Sequence, residues 1–173
     1  MKKIVYYTLI ALLAIVSFSS CLNDNSDEWD KYLEEFEANQ KKVYAQYVAD
    51  SILITDYLTI NDSLATCDEK SGIFFNIIEN GTENKPNTYS IIEVKYQGML
   101  LNGTVFDKTE TDKTVDLQLN RVITGWQYGI PKIGVGGKII LYLPSFYGYG
   151  ETKFDAIPAN SVLIYEVELL GYY

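Results

Sequence analysis

From Gly72 onward, apolar residues come in short runs or in strict alternation, broken by Gly, Pro and Asn-Gly pairs. Such a pattern specifies strands joined by tight turns. Gly72–Ile78 reads as a strand closed by a turn at Asn80-Gly81, and Tyr89–Leu101 as a longer one. Asn102-Gly103 is a sharp hairpin signal leading into Thr104–Asp107. After a polar loop, Val115-Asp116-Leu117-Gln118-Leu119 alternates as a half-buried strand should. Lys138–Leu143 is stopped by Pro144, a Gly/Tyr-rich loop reaches Pro158, and Val162–Leu170 is the last strand.

One stretch breaks this period. Arg121–Gly129 holds Val122, Ile123 and Trp126 at i, i+3 and i+4 spacing, followed by Pro131 and a glycine-rich turn from Gly134 to Gly137. It is too short to be stable alone, so it predicts a helix of one or two turns that the sheet must hold. About five or six strands around one short helix give an α+β domain of roughly 100 residues, assigned to residues 71–173.

Upstream the period changes to that of a helix. Ser26, Asp27 and Glu28 make a capping residue and an acidic first turn, and Trp29, Tyr32, Leu33, Phe36, Val43, Tyr44 and Tyr47 follow near helical spacing. Asp50-Ser51 can restart or kink the helix, which continues through Ile54, Tyr57 and Leu58. Residues 29–70 therefore form a helical appendage, with Thr66–Ser71 as linker. Its aromatic stripe is a packing face for the chain's own domain or for a second copy.

Residues 1–20 have Lys2 and Lys3, an apolar run from Ile4 to about Val16, and small residues before Cys21. That is a secretory signal, too short to span a bilayer comfortably. Phe18-Ser19-Ser20-Cys21 resembles a bacterial lipobox, which would make Cys21 the lipidated first residue of the mature chain and a membrane anchor. The alternative is an ordinary signal peptide with a chance cysteine. Residues 21–28 are then the anchor and a polar, acidic tether, similar to the export signals of Bacteroidetes lipoproteins or simply a linker. With Cys21 acylated, Cys67 is the one thiol left, and it reads as a small semi-buried residue.

Composition narrows the chemistry. The chain has no histidine, which removes His general-base chemistry, Ser-His-Asp triads and most catalytic zinc sites. Its formal charge is −9; without Lys2 and Lys3 the remaining 12 basic and 23 acidic residues leave −11. Such a surface repels phosphate backbones, so nucleic acid is not an expected partner. Whatever chemistry occurs must need little proton transfer.

Several motifs stand in one register: Tyr96-Gln97-Gly98, Asn102-Gly103 with Phe106-Asp107, Val122-Ile123-x-Gly125-Trp126-x-x-Gly129, Gly136-x-Lys138, Pro144 with Tyr149-Gly150, and Ile157-Pro158-x-Asn160-x-x-Leu163 with Glu166-Val167-Glu168-Leu169. Their order and spacing resemble the FKBP family of peptidyl-prolyl cis/trans isomerases over about residues 70–170. The family's fold is a bent antiparallel sheet half-wrapping a short helix, in agreement with the pattern reading. The resemblance implies that Trp126 floors a pocket for the substrate proline ring. It implies walls from Tyr96, Phe106, Val122, Ile123, Ile157 and Tyr165, with Asp107 and Tyr149 as a polar rim. Tyr149 and the Ile123 N–H would bind substrate carbonyls. Val115 stands where the family generally places an aromatic wall, and Phe154 in the tip loop is positioned to supply apolar contact instead.

Read without the resemblance, Trp126, Val122 and Ile123 equally suit a plain core. Asp107 could then be a hairpin-end carboxylate, and Tyr149 one of several loop tyrosines. The function implied is rotation of X–Pro bonds in proline-containing segments of envelope proteins, with no metal or cofactor. A non-catalytic FKBP-like binding module or holdase at the outer membrane is the alternative, and self-association through the aromatic helix is a further one.

Overall fold

The computed structural model describes residues 26–173; the signal segment, Cys21 and the start of the tether lie outside them. The chain divides into two compact units, residues 1–42 and 43–173. The first helix, α1, spans Ser26–Ile60. Within the smaller unit Trp29, Tyr32 and Phe36 are exposed, and the Trp29 and Tyr32 rings meet edge to face at 6.2 Å.

The larger unit is built on seven antiparallel strands: β1 (Thr66–Cys67), β2 (Phe74–Glu79), β3 (Ile91–Leu100), β4 (Val105–Lys108), β5 (Val115–Gln118), β6 (Lys138–Leu143) and β7 (Leu163–Tyr172). They run in the order β1-β2-β6-β7-β3-β4, and β5 also pairs with β3. Because β3 is ten residues long, its first half takes β5 and its second half takes β4 on the same edge. The short helix α2 (Thr124–Gly129) lies against β6. A Cβ on Gly125 or Gly129 would sit 2.4 Å from Leu143 or 2.5 Å from Leu141, so these glycines allow the close approach. The expected bent sheet around a short helix is present.

Four expectations are corrected. The sheet has seven strands rather than five or six, because the two-residue β1 falls in what reads as a linker. A pair so short leaves no periodic signal; it exists because Thr66 and Cys67 align with Phe75 and Phe74. Val122 and Ile123 precede α2 in extended conformation instead of lying on it. Asp50-Ser51 does not restart the helix, which runs unbroken from Ser26 to Ile60, and Asp50 is fully buried. Cys67 is exposed, not semi-buried.

The sheet buries both faces. On the concave side Ile92, Val94, Leu141, Leu143, Val167 and Leu169 pack with Trp126 and Ile130. On the other side Ile54, Tyr57 and Leu58 of α1 pack with Tyr142, Val162 and Ile164. The second half of α1 is thus part of the larger unit.

Asp68, just after β1, accepts from Lys132 Nζ at 2.6 Å, from the Lys70 N–H at 3.0 Å and from the Ser71 hydroxyl at 3.0 Å. Lys132 also lies 4.6 Å over the Phe75 ring. The Lys132 hydrogen bond first, then the Lys70 N–H, hold the Asp68 carboxyl down at about 2, below its usual 3.8. A carboxyl depressed on folding stabilises above its unfolded value and loses that contribution as pH falls through the folded one. Asp68→Asn is therefore expected to lower stability by about 1–2 kcal/mol at pH 6. That difference should shrink toward zero between about pH 4 and pH 2, read by urea unfolding of both proteins across that range.

Candidate proline-binding pocket

Strand pairing brings the candidate residues together from distant parts of the chain. Tyr96 and Gly98 lie on β3, facing the concave side with Val94. Gly98 pairs with Asp107 on one side and Tyr165 on the other. The β3–β4 ladder then shifts register, Met99 meeting Val105, so Phe106 has no cross-strand partner. That bulge lets the consecutive residues Phe106 and Asp107 both serve the concave face, which a regular strand would forbid. Period-2 reading of Val105–Lys108 cannot reveal this; the motif spacing can.

The rings form an edge-to-face cluster. Trp126 meets Tyr96 and Tyr165, each at 5.2 Å between centroids, and Phe106 meets Tyr165 at 5.6 Å. Trp126 and Tyr165 are buried, whereas Tyr96 and Phe106 are half-buried. Gly98 makes the room: a Cβ there would lie 2.7 Å from the Phe106 ring and 2.8 Å from Tyr165. Among the described residues, the Trp126 indole N–H is the one buried side-chain polar atom with no hydrogen-bond partner.

The rim carries the polar groups. The Tyr96 hydroxyl donates to Asp107 Oδ2 at 2.6 Å, which fixes an exposed carboxylate beside the ring cluster. Burial first, and then this hydrogen bond, push the Tyr96 phenol well above its ordinary value. Burial, followed by the neighbouring Tyr149 hydroxyl, does the same to Tyr165. Both phenols therefore stay neutral donors at physiological pH.

Tyr149 stacks flat on Phe154, 4.4 Å between centroids and 8° between planes. Phe154 is itself tied to buried Ile157 by reciprocal backbone hydrogen bonds of 3.0 and 2.8 Å. Val122 and Ile123 are half-buried against the same apolar cluster. The Ile123 carbonyl accepts from the Trp126 N–H at 3.0 Å, while its own N–H makes no hydrogen bond among the described residues. Val115 lies opposite Val94, two residues before Tyr96 along β3, and packs on the core. Cys21 is outside the described residues. Asp50 stands out in the sequence only as a helix breaker and Ser145 not at all; the Ser145 N–H and hydroxyl donate to Asp50 Oδ2 at 2.8 and 2.6 Å, and no local pattern marks that long-range pair.

The family model of FKBP-type peptidyl-prolyl cis-trans isomerase matches residues 82–170. The FKBP-type peptidyl-prolyl cis-trans isomerase FkpA of Aeromonas hydrophila is 40% identical over 103 residues, covering 59% of this chain and 38% of that protein. FkpA of Escherichia coli (strain K12) is 36% identical over 101 residues, 58% of this chain and 37% of that one. This chain thus spans roughly two fifths of the length of these curated relatives. The crystal structure of FkpA from Escherichia coli superposes with a TM-score of 0.64 at 28% identity, covering 96% of this chain and 81% of that one. The crystal structure of AtFKBP13 gives 0.57 at 29% identity, covering 62% and 98%. Among the described residues no helix is long and apolar enough to cross a membrane. This chain belongs to the FKBP-type peptidyl-prolyl cis-trans isomerase family.

Proposed function

We propose that the protein catalyses cis/trans rotation of X–Pro peptide bonds in polypeptides of the cell envelope. The observation that carries this reading is the edge-to-face cluster of Trp126, Tyr96, Tyr165 and Phe106, with a fixed Asp107 and a stacked Tyr149 at its rim. A plain core would leave no reason for a buried indole N–H without a partner beneath a half-open wall.

The chemistry asks little of acids and bases. Rotation about X–Pro is resisted by a barrier of ~20 kcal/mol, because planarity gives the C–N bond partial double-bond character. Twisting the amide makes its carbonyl less polar, so water favours the planar ground state. An apolar pocket that strips this water and grips the twisted form lowers the barrier without covalent steps. An acceleration of ~10⁴ needs about 5–6 kcal/mol of differential stabilisation. In this reading Trp126 floors the proline ring, and Tyr96, Phe106, Val122, Ile157 and Tyr165 enclose it. The Tyr149 hydroxyl and the Ile123 N–H donate to substrate carbonyls.

Cis-to-trans relaxation of a short Xaa-Pro peptide, followed by NMR exchange, tests the proposal without a coupling protease. Wild type is expected to accelerate relaxation beyond the uncatalysed tens of seconds, and Asp107→Ala to lose most of that gain. A well-folded protein that leaves the rate unchanged sinks the enzyme. The pocket would then serve as a binding module, a role favoured by the smaller Val115 at the β5 position.

Two finer assignments belong to the same reading. Cys21 is lipidated and tethers the domain to the outer membrane, as the lipobox-like Phe18–Cys21 supports; mass spectrometry of the mature N-terminus checks it. The exposed Trp29, Tyr32 and Phe36 support self-association through α1, which sedimentation at rising concentration would reveal.

A further inference from the structure

Asp50 is a fully buried carboxylate that the reaction described above does not use. It sits in the part of α1 that belongs to the larger unit. Gln46 Nε2 donates to Oδ1 at 2.8 Å, and the backbone N–H and hydroxyl of Ser145 donate to Oδ2 at 2.8 and 2.6 Å. A buried charge needs donors to replace its lost water, and three are supplied here.

Ser145 opens the 3-10 turn Ser145–Tyr147, which follows β6 directly after Pro144. The carboxylate thus fixes the direction in which the chain leaves the sheet, as a capping side chain does at a helix start. From there hydrogen bonds lead into the pocket. The Ser145 carbonyl accepts from the N–H groups of Gly148 at 3.0 Å and Gly150 at 2.9 Å, one on each side of Tyr149. The Gly150 carbonyl in turn accepts from the Asn160 N–H at 2.7 Å, on the arm that returns from Phe154 and Ile157. Holding α1 to the sheet does not require this carboxylate, since Ile54, one turn on, is already buried against Tyr142 and Ile164. An apolar residue would pack there as well, so the charge is spent on direction rather than on cohesion.

We infer that Asp50 is a positioning residue: through Ser145 it sets the orientation of the Tyr149 loop, so the helix behind the sheet fixes where the Tyr149 hydroxyl meets substrate. The kinetic half of this inference rests on the isomerase reading; the structural half stands without it.

The test uses the full-length protein and two measurements. In peptide exchange, Asp50→Ala is expected to lower kcat/KM about tenfold, mainly through kcat, whereas Asp50→Asn, which keeps an oxygen acceptor for Ser145, stays within about threefold of wild type. In a Tyr149→Phe background Asp50→Ala should have almost no further effect, because both act on one hydroxyl. By NMR, the Gly150 and Asn160 amides should exchange faster in Asp50→Ala, while core amides such as that of Leu141 do not. Equal fold-losses from Asp50→Ala with and without the Tyr149 hydroxyl would overturn the inference, as would unchanged Gly150 and Asn160 amides. Should Asp50→Ala fail to fold, Ser145→Ala carries the same measurements, with a smaller loss in the same direction. If wild type itself is inactive, the isomerase reading falls and the amide exchange alone decides the positioning role.

Discussion

Trp126→Leu is expected to reduce kcat/KM for X–Pro isomerisation by about two orders of magnitude, or about 2.7 kcal/mol of transition-state binding. Leucine keeps the site apolar and α2 seated on β6, but it removes the flat floor on which a proline ring would rest. It also dissolves the edge-to-face contacts with Tyr96 and Tyr165, each such pair contributing about 0.5–1.5 kcal/mol. Stability should fall by about 2–4 kcal/mol, the range for shrinking a large buried side chain. Denaturant unfolding gives that figure separately from the peptide-exchange rate. A folded Trp126→Leu protein that retains wild-type turnover would make Trp126 core alone, and the pocket assignment would go with it.

Gly98→Ala is the second large effect, and it works by addition. The new methyl would stand 2.7–2.8 Å from ring atoms of both Phe106 and Tyr165, closer than carbon atoms tolerate. Gly98 does not have a positive φ, so the backbone accepts alanine and the strain falls on the two rings. Both must shift, half-buried Phe106 with room toward solvent and buried Tyr165 against the core it shares with Leu141. Overpacking of this kind costs about 1–3 kcal/mol, and if the displaced rings wall the pocket as proposed, kcat/KM should drop about ten- to thirtyfold. Tyr165→Phe/Gly98→Ala will not rescue it, since the clash involves the ring edge rather than the hydroxyl. Phe106→Leu/Gly98→Ala should recover only the part of the stability lost to the Phe106 contact, since the Tyr165 clash remains, and should not recover activity; that split is the measurement to make.

Much of this was legible because the sheet obeys simple periods. β3, β6 and β7 begin and end within two residues of the pattern reading, and the Asn102-Gly103 turn closes where an Asn-Gly pair should. That the candidate residues come together was legible only through motif register, since Phe106 and Asp107 share a face by virtue of a bulge that alternation contradicts. What stayed hidden were pairings that local sequence does not encode. Asp50 looks like a helix breaker until Ser145, 95 residues away, supplies two donors. β1 looks like a linker until β2 is beside it. Lys138–Leu143 is apolar without alternation after its first residue, as suits a strand covered on both faces. It announces that α1 has a seat on the back of the sheet.

The lengths of the outermost strands bear on how such a protein survives its work. A sheet offers unpaired N–H and C=O groups along its borders, and extended chains, the substrates proposed here, are what those groups recruit. The borders are short: two residues in β1, four in β4 and four in β5. Beyond the reach of β1, the β2 border is broken by the register shift between Ile77 and Glu79, with Glu79 paired to Lys138 at 3.2 Å. An extended segment held at the proposed pocket would therefore find only short borders on which to add itself as a strand.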